Sequence, residues 1–115
     1  MKHERLKISK MVSELMNYLF YMGASNINID FKDTEEYYKI IAKSNYEEGS
    51  QKKIDKLVKL LNSAKREELE EYYWTLTGDC DVANELSLVG MMCDKAEVNL
   101  NSYDEIEINL YRYKK

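Results

Sequence analysis

The chain of 115 residues has no proline and only four glycines. So few breakers exclude long irregular loops and disordered linkers, and the regular elements should follow one another closely. Histidine is almost missing. His3 is the only one, and it stands in a charged tail with no serine, cysteine or aspartate at a recognisable catalytic spacing. Two cysteines, Cys80 and Cys93, form no C-x-x-C pair and, with a single histidine, no zinc set, so no metal site is expected. Both read as reduced thiols of a cytoplasmic protein, with a redox pair as the alternative. No apolar run approaches the ~18 residues of a membrane span. The opening MKHERLKISKM lacks the apolar stretch of a secretion signal. Basic residues are outnumbered, 17 against 21 acidic ones, for a net charge of −4. That excludes a broad basic surface, and neither nucleic acid nor membrane is expected as a partner.

What remains is a chain that is 44% apolar, with ten tyrosines, long enough for one domain over residues 1–115. Ile8, Met11, Val12, Leu15, Leu19 and Met22 recur at three- and four-residue steps, which predicts an amphipathic helix over residues 5–22, and Gly23 follows where a left-handed cap belongs. The period then becomes two. Ile27, Ile29 and Phe31 alternate with Asn26, Asn28 and Asp30, and after the polar turn 33–36 a second strand reads YYKIIAK, so a hairpin is expected. Ser50 can cap a helix whose stripe is Ile54, Leu57, Val58 and Leu61. Lys65 to about Leu76 predicts another helix, with Leu69, Tyr73 and Leu76 on one side and a charged, solvated face opposite. Asp81 can cap a last helix carrying Val82, Leu86, Val89 and Cys93. Two alternating strands close the chain, with Ala96, Val98 and Leu100 on one face of the first and Ile106, Ile108 and Leu110 on one face of the second. Strands with one apolar face need one helical cover. The fold class expected is α+β, a two-layer α/β sandwich in which a mixed, mainly antiparallel sheet of about four strands carries its helices on one face.

Three stretches add a resemblance. Ser13 to Ile29 (SELMNYLFYMGASNINI) looks like an N-box helix, E-x-x-x-N-A-x-x-H-G, running into its strand. Tyr37 to Asn45 (YYKIIAKSN) looks like the strand that leads to a D-x-G-x-G loop. Ala83 to Leu110 looks like a G-x-G-L turn followed by its helix and terminal hairpin. Together they resemble the GHKL superfamily, the Bergerat-fold ATPase domain of sensor histidine kinases, gyrase and anti-sigma-factor kinases. The likeness is closest to the anti-sigma and SiaB-type kinase branch, and the helices at 51–76 stand in place of the ATP lid. The resemblance implies a histidine-kinase-like ATPase fold, a place in bacterial signalling, and a site for Mg-ATP in which Glu14 is the base for phosphoryl transfer and Asn17, Asn45 and Asn84 serve the nucleotide.

The same alignment puts the family's magnesium-binding asparagine on Tyr18, beside Asn17. It replaces the D-x-G-x-G loop by Ser44-Asn45-Tyr46-Glu47-Glu48-Gly49, and sets Ala83 and Glu85 on the two glycines of G-x-G-L, keeping Leu86. Phosphate loops need glycine so that backbone N–H groups can approach the anion. A glutamate at ~4 Å from a phosphate, at an effective dielectric near 20, costs on the order of 4 kcal/mol. The expectation is therefore a non-catalytic regulatory or protein-interaction domain on a degenerate GHKL scaffold, with no cofactor and with a regulatory protein or a second copy as partner. The alternative is an ATP-binding serine/threonine kinase of the anti-sigma or SiaB type. Each named residue also has a plainer role: Glu14 as a solvent-side glutamate, Asn45 as a turn residue, Asn84 as part of a helix cap. The aromatic cluster Tyr72-Tyr73-Trp74 has one side for the core, and its other side, Tyr72 and Trp74, is a candidate partner surface. Met91 and Met92, with Met11, Met16 and Met22, read as deformable core or as a binding groove.

Overall fold

The computed structural model describes residues 4–62, 82–102 and 104–114. In chain order these form α1 (Glu4–Tyr21), β1 (Ile27–Asp33), β2 (Tyr37–Asn45), α2 (Gln51–Leu61), α3 (Val82–Met92), β3 (Lys95–Ser102) and β4 (Glu105–Tyr113). The helix expected over Lys65–Leu76, the cap expected at Asp81, and Cys80 lie outside the described residues.

The helix predicted from the first apolar stripe ends as its sequence requires. Gly23 has φ +85°, a region closed to most side chains. Its N–H donates to Phe20 C=O at 2.9 Å and Ala24 N–H donates to Leu19 C=O at 3.0 Å, the paired bonds of a Schellman cap. Ser50 behaves differently from its expected role. Its hydroxyl does not cap α2; it donates to Glu47 C=O at 2.6 Å. Ser50 is buried against the end of α1, so its side chain meets the preceding carbonyl rather than the N–H groups of α2.

The strands lie in the order β1-β2-β4-β3. Each of the three pairings is antiparallel, so the described sheet has no parallel component, in correction of the mixed sheet expected. β3 runs in the same direction as β2 and would have paired parallel to it. β4 takes that central place instead, because Ile106, Ile108 and Leu110 on its inner face are fully buried and need cover on both flanks. Residues paired across the ladders share a face. Ile40 and Ala42 of β2 therefore join those three under Met11, Leu15, Tyr18 and Leu19 of α1, Leu57 of α2, and Leu86, Val89 and Met92 of α3. The helices pack together, α1 on α3 and α2 on α3, on this one face. The α+β two-layer arrangement expected is what the described residues form.

Far ends of the chain are tied by charge. Arg112, buried on β4, forks onto Glu4 of α1, its Nε donating at 2.9 Å and its Nη2 at 3.2 Å. Its Nη1 donates to Met92 C=O at the end of α3. One guanidinium thus joins the sheet to two helices. Cys93, next to Met92 in sequence, is buried, with its Sγ 3.7 Å from Gly90 C=O.

Candidate functional site

Among the residues nominated from sequence, Glu14 lies on α1 with only 6% of its surface exposed, and its carboxylate pairs with Lys10 one turn earlier at 3.0 Å. Asn17 is on the same helix and exposed. Asn45, at the end of β2, holds a turn. Its Oδ1 accepts from the N–H groups of Ser25 and Asn26 at 2.9 and 3.0 Å, and its Nδ2 donates to Ser25 Oγ at 2.9 Å. That amide clamps the α1–β1 connection to the sheet, and both of its ends are occupied. Asn84 belongs to the α3 backbone, and its side chain is outside the described atoms. Tyr72 and Trp74 are outside the described residues.

Tyr18, where the resemblance maps a magnesium ligand, has no exposed surface, and its hydroxyl donates to Lys53 C=O at 2.7 Å. Burial, with Tyr21 adding, pushes this phenol up to about 12. It therefore offers nothing to a solvent-borne ion. Among the described residues no group of three or more His, Cys, Asp or Glu side chains is placed to hold a metal.

Two concavities bear on the question. The first is a polar cleft of about 330 Å³ lined by Asn26, Asn28, Lys43, Ser44, Asn45, Asp104 and Glu105. Among the nominated residues whose side chains are described, Asn45 reaches it. Its two acidic side chains disfavour a phosphate there, since one lysine does not offset both.

The second is a groove of about 660 Å³ between α1 and the β1 edge of the sheet. Among the described residues α1 leans on α3, and no other described element covers the flank over β1. Ile8, Val12 and Met16, at four-residue steps, form one wall. Phe31 and Tyr38 form the floor, with rings stacked at 6.1 Å and 17°. Phe31 stays 46% exposed although its strand face is the apolar one. The rim is polar, with Arg5, Ser9, Ser13 and Asp33. Asp33 is engaged, accepting from Lys114 Nζ at 2.6 Å, and this ion pair raises the Lys114 pKa. Arg5 is exposed and has no ion pair among the described residues. None of Glu14, Asn17 or Asn45 lines this groove.

The sequence carried a trace of it. Val12 and Met16 widen the stripe of α1 beyond the ridge Met11-Leu15-Tyr18-Leu19 that the core absorbs. Met11, Met22 and Met92 are core, whereas Met16 faces the groove. Nothing in the sequence alone marked Arg5 or Phe31. Chemically the groove offers apolar area, aromatic faces and, among the described residues, an unpaired cation in Arg5, which suits binding rather than bond-making.

Comparison with known proteins gives no match: no protein-family model matches the chain, and no curated protein or solved structure does.

Proposed function

We propose that this protein is a non-catalytic regulatory domain that binds another polypeptide, built on a degenerate scaffold of the histidine-kinase ATPase type and acting in signalling. One observation carries the reading: an apolar groove runs alongside β1, which among the described residues is a strand at the edge of the sheet. An edge strand has unused N–H and C=O groups, and an extended segment can add to it while its alternate side chains enter the groove. The residues nominated for nucleotide chemistry support the same reading, since Tyr18 and Asn45 are committed to structural hydrogen bonds and Glu14 is paired with Lys10.

Two measurements test it. Peptide-display selection on the immobilised domain is expected to yield segments with bulky apolar residues at alternating positions, whose binding Val12→Glu abolishes while the thermal transition is kept. Thermal unfolding with millimolar Mg-ATP is expected to be unchanged. Nucleotide at a hundred times its Kd would stabilise by about 2.7 kcal/mol. A clear upward shift with nucleotide, together with no peptide selected at the groove, would overturn the proposal in favour of an ATP-dependent kinase.

A further inference from the structure

We infer that the segment that adds to β1 is β1 of a second copy, giving a two-fold dimer with a continuous eight-stranded sheet. The inference rests on the reading above and names the partner. It starts from hydrogen-bond direction. Thr34 N–H donates to Tyr37 C=O and Asn45 N–H donates to Asn26 C=O. With the β1–β2 register, this assigns the even-numbered residues of β1 to bonding with β2. Ile27, Ile29, Phe31 and Asp33 therefore aim their backbone groups outward, into the open edge.

Two β1 strands related by a two-fold must run antiparallel, and the odd residues must exchange the bonds. Several registers allow this, and charge favours one of them. Centring on residue 30 sets Asp30 against Asp30, and centring on residue 32 sets Lys32 against Lys32. Centring on Phe31 sets Asp30 of each copy opposite Lys32 of the other, twice, at non-hydrogen-bonded positions where side chains are closest. Within one chain Asp30 and Lys32 form an exposed ion pair at 3.2 Å, which each can exchange for the partner across the two-fold at little cost. In this register Phe31 bonds to Phe31, and Ile29 to Asp33. The two exposed Phe31 rings meet on the inner face, where the grooves of the two copies open onto each other. Such self-complementarity is what a two-fold interface requires.

The opposite edge is less suited. β3 has a register shift between Leu100 and Ser102 that bulges it away from straight pairing, while β1 pairs without interruption along its length. Charged residues on an edge usually discourage pairing. Here their order opposes the centrings on residues 30 and 32 and adds two opposite-charge pairs to the one on Phe31.

Sedimentation velocity on the full chain, from micromolar to millimolar, tests the inference. The expected result is a concentration-dependent dimer that Asp30→Lys and Lys32→Asp each weaken about tenfold or more. An equimolar mixture of those two single variants, one chain now doubly positive there and the other doubly negative, is expected to dimerise again. Both variants lose the pair within the chain, so recovery on mixing requires contact between chains. A monomer at every concentration overturns the inference; if selected peptides still bind the groove, recognition of another protein stands without self-association. A dimer that ignores both charge changes also overturns it, because its register is then a different one.

Discussion

Tyr18 sits at the centre of the core with its hydroxyl on Lys53 C=O. Its ionisation is opposed chiefly by burial, which places its folded pKa at about 12 against an unfolded value near 10. A raised pKa means that the neutral form is the one the fold favours. Its contribution is fully present below pH 10 and is lost as the pH rises through 12, on the order of 3 kcal/mol in all. Denaturant unfolding at a series of alkaline pH values is expected to show that decline, and Tyr18→Phe is expected to flatten it. An equally steep decline in the variant would remove Tyr18 as its cause. Arg112 acts at the other end of the helix layer. Arg112→Ala leaves Glu4 without its fork and Met92 C=O without its donor, and is expected to cost about 3 kcal/mol or more in chemical denaturation. Neither role could be read from the sequence. Glu4 and Arg112 are distant along the chain, and their pairing depends on where α1 docks. Tyr18 was not among the stripe residues read from the α1 sequence, and both its burial and its hydrogen bond emerged only with the docking of α1.

Elements whose ends are set locally were the legible ones. Gly23 follows the last stripe residue of α1, and only a left-handed residue closes that helix. Gly23→Ala should lower stability by about 1 kcal/mol, since alanine must accept φ near +85°. Gly90 is the contrasting case. It lies inside α3, and a methyl group there would run into the carbonyl oxygen of Leu60 on α2. Backbone cannot swing aside as a side chain can, so Gly90→Ala should lower the melting temperature more than Gly23→Ala does. The reverse order in calorimetry would contradict the α2–α3 packing. No local pattern announces Gly90, because the contact joins helices separated by the segment 63–81. The same limit explains Ser50, whose sequence suits a helix cap and whose buried hydroxyl found a nearer carbonyl. It also explains the sheet. Period-two alternation identified three strands and the β-favouring run YYKIIAK the fourth, but only the fully buried face of β4 decided that β4 would lie beside β2.

The described helices cover the sheet unevenly, and that imbalance is the source of the proposed function. α1 and α3 pack against each other over the central strands, which leaves Phe31 half-exposed on β1 and opens a groove between that strand and α1. Leu100 on the opposite edge is also half-exposed, though its strand is bulged. Among the described residues, no helix is long and apolar enough to cross a membrane, so these apolar surfaces do not belong to a helical span. The sequence could place Ile27, Ile29 and Phe31 on one face but could not show that the cover from the described helices stops short of Phe31, since that depends on how those helices share a small sheet. The account stands on β1 being an edge used for binding. Amide hydrogen exchange at Ile29 and Phe31, followed from dilute to concentrated protein and again with millimolar Mg-ATP, tests this most directly. Exchange at both amides should slow as the protein is concentrated and should not respond to nucleotide. Fast exchange there under every condition, with nucleotide instead protecting the segments around Glu14 and Asn45, would contradict it.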